Sequence, residues 1–280
     1  MKVFLSADIE GVTGLVSWSQ CSRPDGNSYD YAFARRMMTH DVNAAIRGAR
    51  AAGATHIVVK DSHGNSKNLL IDELEPGVEL VSGHGAGTDG MMQGIDSTFD
   101  AAMLIGYHAM AGTLGGVMEH TITGGVHRLF LNDRETGEIG LSAYAAGAYG
   151  VPLVMVASDA AGAEEAQALV PGVATAVTKI GIGRYMAQLR SPAQTGPEIE
   201  SAARRGLERL KEMKPITADE PTTLRIEFNR AEEADMAAKL VSVTRINGYT
   251  IVARVTSYAL AHQVCWNCMA MSAEGIRSQS

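Results

Sequence analysis

Cysteine is scarce in this 280-residue chain: Cys21, Cys265 and Cys268 make an odd set of three that builds no disulfide framework and suits a reducing compartment. Basic clusters are missing as well. The 24 Lys and Arg are outnumbered by 31 Asp and Glu, the formal charge is -7, and no run of cations is long enough to follow a phosphate backbone. Nucleic acid is excluded as an expected partner. No apolar run approaches a membrane span, and the opening Met1-Lys2-Val3-Phe4-Leu5-Ser6 meets an acid at Asp8 before a signal-peptide core can form. A cytoplasmic protein with no membrane partner is therefore expected. Repeats and low-complexity tracts are also lacking. With 46% hydrophobic and 20% charged residues, the chain can bury one large core, or one core and a small second domain.

What is present is a series of apolar strands that end in metal-capable side chains. Val3-Phe4-Leu5 runs into Ser6-Ala7-Asp8-Ile9-Glu10-Gly11. Side chains two apart on an extended segment point the same way, about 6.5 Å apart, so Asp8 and Glu10 can converge on one cation while Ile9 faces inward. Tyr31, Ala34, Met38, Val42, Ala45 and Ala49 recur at helical spacing as far as Gly53, and residues 56–60 form a β-branched strand that delivers Asp61-Ser62-His63. Strand, helix, strand is the pattern of a parallel α/β sheet. Residues 78–81 read as a further strand, and the apolar run 100–106 as one covered on both faces that delivers Tyr107-His108. Ligands in open α/β sheets bind outside the carboxyl ends of strands, so Asp8, Glu10, Asp61, His63 and His108 are expected at one rim. Mixed imidazole and carboxylate donors suit zinc. Asp8, the shorter acid at a strand terminus, is the natural bridge between two ions about 3.5–4 Å apart.

Other motifs carry less. Gly85-Ala86-Gly87-Thr88-Asp89-Gly90 matches GxGxxG, but Gly94 follows where a long helix should open, so a loop and no nucleotide cradle is expected. Cys265-Trp266-Asn267-Cys268 has redox or zinc spacing without a second pair and lies in an apolar helical run, where packing is expected of it and of His262. A loop rich in Gly and Thr carries His120, residues 127–131 form a strand, and a turn containing Glu138 leads to a helix over 141–148. Strands over 152–157 and 173–180 follow, with Asp159 capping the intervening helix. Ser191-Pro192-Ala193-Gln194 reads as a linker before a helix that Thr195-Gly196-Pro197-Glu198 opens and that runs to about Met213. The expected fold is a three-layer α/β/α core with a mostly parallel central sheet over residues 1–190. A smaller C-terminal α+β domain over 191–280 is expected to serve structure or oligomerisation, without chemistry of its own.

Taken in order, Ser6-Ala7-Asp8-Ile9-Glu10-Gly11, Asp61-Ser62-His63, Gly106-Tyr107-His108-Ala109, Gly116-Val117-Met118 leading to His120, and Asn132-Asp133-Arg134 leading to Gly137-Glu138-Ile139-Gly140 resemble the DppA-type D-aminopeptidases, a family of di-zinc peptidases. The resemblance covers about residues 1–180 well and the remainder more loosely. It implies that Asp8 touches both zinc ions, that Glu10, His63, His108 and Glu138 are the other ligands, and that His120 is the catalytic histidine. It also implies a homodecamer of two stacked pentameric rings with sites facing an inner chamber. The activity it implies is release of N-terminal D-residues, notably D-alanine, from short peptides such as D-Ala-D-Ala; a water activated by the two zinc ions is the expected nucleophile, in preference to a covalent histidine route. Two other readings use the same residues. One is a different metal-dependent hydrolase, an amidase or a phosphoesterase, the latter needing a cation such as Arg128 or Arg134 near the site. The other is a non-enzymatic small-molecule binding protein whose acids and histidines are surface decoration.

Overall fold

A computed structural model describes residues 1–21, 28–85 and 88–277. The chain enters as β1 (Lys2–Ala7), passes through a short α1 (Trp18–Cys21) and the long α2 (Ser28–Ala51), and continues as β2 (His56–Asp61), β3 (Glu79–Val81) and β4 (Ala101–Tyr107). Next come β5 (Val126–Leu131), β6 (Arg134–Glu135), α3 (Glu138–Ala148), β7 (Leu153–Asp159), α4 (Ala160–Leu169), β8 (Ala174–Gly183) and β9 (Met186–Leu189). The last stretch supplies α5 (Pro192–Glu208), β10 (Thr222–Phe228), α6 (Ala231–Ala237), β11 (Thr244–Arg245), β12 (Thr250–Val255) and α7 (Tyr258–Arg277).

The larger sheet has seven strands in the order β3-β2-β1-β4-β7-β8-β9, parallel throughout except between β8 and β9. Every residue of β4 and β7 is buried, which is why both read as continuous apolar runs rather than alternating ones. Alternation along β1 still decides which core each side chain enters. Val3, Leu5 and Ala7 pack with Met38 and Val42 of α2 and Ile199 and Ala203 of α5, whereas Phe4 joins Leu104, Ile139 and Val156 on the opposite face, where α3 and α4 lie. The expected three-layer core with a mostly parallel sheet is thus present. Among the described residues no helix is long and apolar enough to cross a membrane.

A second, antiparallel sheet has the order β11-β12-β10-β5-β6, and its apolar face, with Leu224, Ile226 and Phe228, packs under α7. This sheet draws strands from both sides of residue 190, while α5 packs on α2 in the first core. Two local expectations are corrected. Ser191-Pro192-Ala193-Gln194 is no linker: Ser191 caps α5, Pro192 opens it with its φ already helical, and Gln194 Oε1 accepts the Ser191 N–H at 3.1 Å. The strand expected to stop at 180 instead continues to Gly183 and returns as β9.

Close backbone approach ties the loop after β1 to the end of β4. The Gly11 N–H donates to Gly106 O at 2.7 Å, and a Cβ on Gly11 would sit 1.7 Å from Tyr107 O. Gly11→Ala is expected to destabilise the fold by about 1–3 kcal/mol, the range of an overpacked site, seen as a lower midpoint in a circular-dichroism melt. An unchanged midpoint would contradict this contact.

Candidate metal centre

β2, β1 and β4 lie side by side in parallel with Ala7 paired to both Asp61 and Ile105, so their carboxyl ends are level. Asp8, His63 and His108 leave those ends at the point where the strand order reverses, the usual place for a ligand crevice. Glu138 opens α3 beside them, and His120 arrives from the loop between β4 and β5. Asp8, Glu10, His108, Glu138 and His120 are all buried, and His63 is partly so.

Asp8 spans the cluster. Its Oδ1 lies 3.2 Å from His63 Nδ1 and its Oδ2 3.5 Å from His108 Nε2. Glu10 Oε2 is 3.1 Å from His63 Nδ1, and Glu138 Oε1 is 3.4 Å from His108 Nε2 and 3.6 Å from His120 Nε2. The His108 and His120 rings stack with centroids 4.1 Å apart, and Trp18 meets His120 edge-on at 5.0 Å. His108 donates its Nδ1–H to Ala109 O at 3.0 Å, and His120 donates to Met118 O at 2.9 Å. Each tether leaves an Nε2 lone pair facing the acids, the tautomer that a metal ligand or a general base requires.

Three buried atoms here, Asp8 Oδ2, Glu10 Oε2 and His108 Nε2, have no hydrogen-bond partner among the described residues. Orphaned polar atoms are costly, and three converging on one point fit a divalent cation better than any packing role. His108, His120 and Glu138, and separately Asp8, Glu10 and His108, bring their ligand atoms within 4.8 Å of one another. Electrostatics show the same frustration. Burial, with Glu10 next, pushes the Asp8 carboxyl up to about 7. Burial also opposes ionisation of Glu10 and Glu138, but the imidazoles of His63 and His108 outweigh it and hold both acids below the usual carboxylate range. The same pairs raise His63 and His108 against the effect of burial, whereas burial and the neighbouring His108 lower His120.

The surroundings fix these positions. Lys179 of β8 is fully buried and donates to Glu10 O, to Val12 O at 2.9 Å and to Leu15 O at 2.8 Å, while burial lowers its ammonium to about 8. Thr178 Oγ1–H adds a bond to Gly11 O at 2.6 Å. Asp159 caps α4 by accepting Gly162 N–H at 3.0 Å, as expected, and its other oxygen takes Val117 N–H at 2.8 Å in the loop that carries His120. Asp61 corrects the expectation of a rim acid. Its carboxylate accepts from Asn68 N at 2.6 Å, Asn68 Nδ2 at 2.8 Å and Leu69 N at 2.8 Å, so its lone pairs secure the following loop. Sequence reasoning missed Lys179 and Trp18; a lysine interrupting the strand run Val173 to Ile180 was the available signal for the first.

A cavity of about 1320 Å³ opens over the centre. Asp8, Glu10, His63, His120 and Glu138 line its floor, and Trp18, Tyr185 and residues of α7 form its walls. Of the two Lys or Arg residues that line it among the described residues, Lys60 is spent on Asp61 O and Ser66 Oγ, and Arg184 on Glu119. Arg128 pairs with Glu135 and Arg134 bonds Ala168 O, both away from the cavity, which leaves the phosphoesterase reading without its cation. Cys265 and Cys268 pack inside α7, where burial raises the Cys265 thiol and takes the Cys268 thiol up to about 12. The GxGxxG stretch, of which Ala86 and Gly87 lie outside the described residues, leads only to a single 3₁₀ turn at Gly90–Met92.

A parallel sheet with buried carboxylates and imidazoles sharing one aspartate beneath a peptide-sized cavity defines a metallohydrolase-type centre. The model of the D-aminopeptidase family matches residues 1–266. A D-aminopeptidase of Bacillus subtilis (strain 168) is 37% identical over 252 residues, 90% of each chain. The solved structure of the Zn-dependent D-aminopeptidase DppA from Bacillus subtilis, a self-compartmentalizing protease, matches with a TM-score of 0.93 and 34% identity over 98% of both chains. The chain belongs to the D-aminopeptidase family, as its motif order implies.

Without metal, Asp8 keeps its proton to about 7 against the usual 3.8, so across that window the folded state holds a proton that the unfolded chain has shed, and stability falls as pH rises. His63 and His108, raised above 6.5, lose their stabilising protons at higher pH and add the same sign. Glu10 and Glu138, held below 4.5, stabilise throughout this range and lose that contribution only in acid. The thermal midpoint of EDTA-treated protein is expected to fall from about pH 5 to about pH 8, and added zinc to remove most of the fall. A midpoint that rises across the range without metal would refute the assignment.

Proposed function

We propose that this chain is a two-zinc aminopeptidase that releases N-terminal D-residues, D-alanine foremost, from short peptides such as D-Ala-D-Ala. The observation that carries the reading is Asp8, whose two oxygens face His63 on one side and His108 on the other. Asp8, Glu10 and His63 would hold one ion, and Asp8, His108 and Glu138 the second. Zinc in such a site polarises a peptide carbonyl and makes a neighbouring water more acidic.

His120 supplies the proton traffic. Its Nδ1–H is committed to Met118 O, so Nε2 is free to take a proton from the attacking water and pass it to the leaving amine. The cation so formed also stabilises the negative charge that develops on the carbonyl oxygen. Stacking on His108 and the edge contact from Trp18 keep the ring from rotating away. The acids of the floor are 2–4% exposed and line the cavity, where a peptide N-terminus would lie against them.

The active form is proposed to be a closed homo-oligomer, a decamer of two pentameric rings, in the cytoplasm. The relative with the 0.93 TM-score is self-compartmentalizing, and three buried free cysteines suit a reducing compartment. The β8–β9 hairpin supports a docked copy. Ile180, Ile182, Met186 and Leu189 are exposed on it, β9 is an edge strand, and Tyr185 at its turn also lines the cavity.

Three outcomes follow from the reading. Elemental analysis should find close to two zinc ions per chain, and one or none would contradict it. His120→Ala should keep both ions and lose on the order of 10²–10⁴-fold in kcat on D-Ala-D-Ala with little change in KM; near-normal turnover would reject the catalytic role, and loss of an ion would make His120 a ligand. Met186→Lys should lower the mass seen by light scattering while far-ultraviolet circular dichroism is preserved, and an unchanged mass would remove the hairpin from the interface.

A further inference from the structure

Gln263, Trp266, Asn267 and Ala270 recur at the spacing of one helical face of α7 and line the same cavity as Asp8, Glu10 and His120. We propose that this face is the subsite for the peptide beyond the scissile bond, with the Gln263 and Asn267 amides reading its backbone. The inference rests on the aminopeptidase reading and adds the residues that hold the leaving portion.

Direction comes from exposure. The acids of the floor are buried, whereas Gln263, Asn267 and Ala270 are exposed. A substrate cut at its N-terminal residue must put its amine and first carbonyl at the floor, so the remainder runs outward past α7. The chemistry of the face matches a neutral backbone. Residues 258–273 contain no Asp, Glu, Lys or Arg, although this stripe meets solvent. Solvated helix faces are normally charged, and here the exposed polar groups are two amides. No hydrogen bond links either amide to the described residues, and each offers both donors and an acceptor, the complement of a peptide group.

The wall is also held in place before any ligand arrives. His262 donates its Nδ1–H to Thr88 O at 2.9 Å, and its Nε2 accepts the Trp266 Nε1–H at 3.1 Å. Gly90 packs so closely on the indole that a Cβ there would sit 2.2 Å from Trp266 Nε1. With its one polar atom committed, Trp266 offers only hydrocarbon to the cavity. Flat Trp266 and small Ala270 give side chains of the leaving peptide little to be selected by, so the subsite favours length over sequence. A fixed wall binds its ligand at less entropic cost than a mobile one.

The test compares D-Ala-Gly-Gly, whose leaving portion has a peptide backbone, with D-alanine p-nitroanilide, whose leaving portion has none, on zinc-loaded protein. In Gln263→Ala/Asn267→Ala the ratio of kcat/KM for the tripeptide to that for the anilide is expected to fall about tenfold, as loss of two backbone hydrogen bonds implies, and to do so through KM. Alanine at exposed helical positions favours the helix, so the variant folds. An unchanged ratio, or equal losses on both substrates, overturns the subsite. If the unaltered chain releases no D-alanine from either compound, the aminopeptidase reading fails. Calorimetric titration with triglycine then decides the subsite separately: binding several-fold weaker in the variant supports it, and equal or undetectable binding to the unaltered chain overturns it.

Discussion

The Asp8 carboxylate is the constraint on which the arrangement depends. It is buried with no lysine or arginine paired to it among the described residues, and imidazoles face both of its oxygens. Removing an ionised carboxylate from water costs several kcal/mol unless opposite charge and hydrogen bonds replace the solvent. The protein supplies the Ile9 N–H at 2.9 Å and the His63 imidazole at 3.2 Å, both on Oδ1, and leaves Oδ2 without a hydrogen-bond partner among the described residues. Exposed pairs such as Arg128 with Glu135 are screened by solvent and are incidental by comparison.

Much of the surrounding structure keeps that carboxylate where it is. The Asp8 N–H extends the β1–β4 ladder to Ile105 O at 2.8 Å, and Gly11 meets the end of β4 without room for a side chain. Lys179 then gathers three carbonyls of the loop that follows Asp8. Its burial is costly in isolation, and three acceptors at one ammonium offset the lost water. The metal reading and the α7 subsite both depend on this rim being rigid, because a cavity floor that drifts cannot register a peptide bond.

The fold was legible where burial leaves a plain signature. β1, β4 and β7 carry the apolar runs Val3–Leu5, Ala101–Ile105 and Leu153–Ala157 because helices cover both faces of the sheet, and their ends could be read as a rim from the α/β rule alone. That rule brought Asp8, Glu10, His63 and His108 together but also recruited Asp61, because strand position does not reveal which carboxylates neighbouring backbone N–H groups have claimed. Glu138 and His120 sit at a helix start and in a loop, where no periodicity marks them, and only the family resemblance singled them out. β9 is short and exposed on its edge, so its four residues carry no pattern. The chain order likewise hid that β5 and β6 join β10, and that α7, which begins only at Tyr258, forms a wall of the same cavity as Asp8.

Anomalous diffraction at the zinc absorption edge, from crystals of the zinc-loaded protein, tests the central claim most directly. Two peaks on either side of the Asp8 carboxylate, each about 2.0–2.2 Å from one of its oxygens, are the predicted result. A single peak, or two peaks that do not share Asp8, would contradict the account.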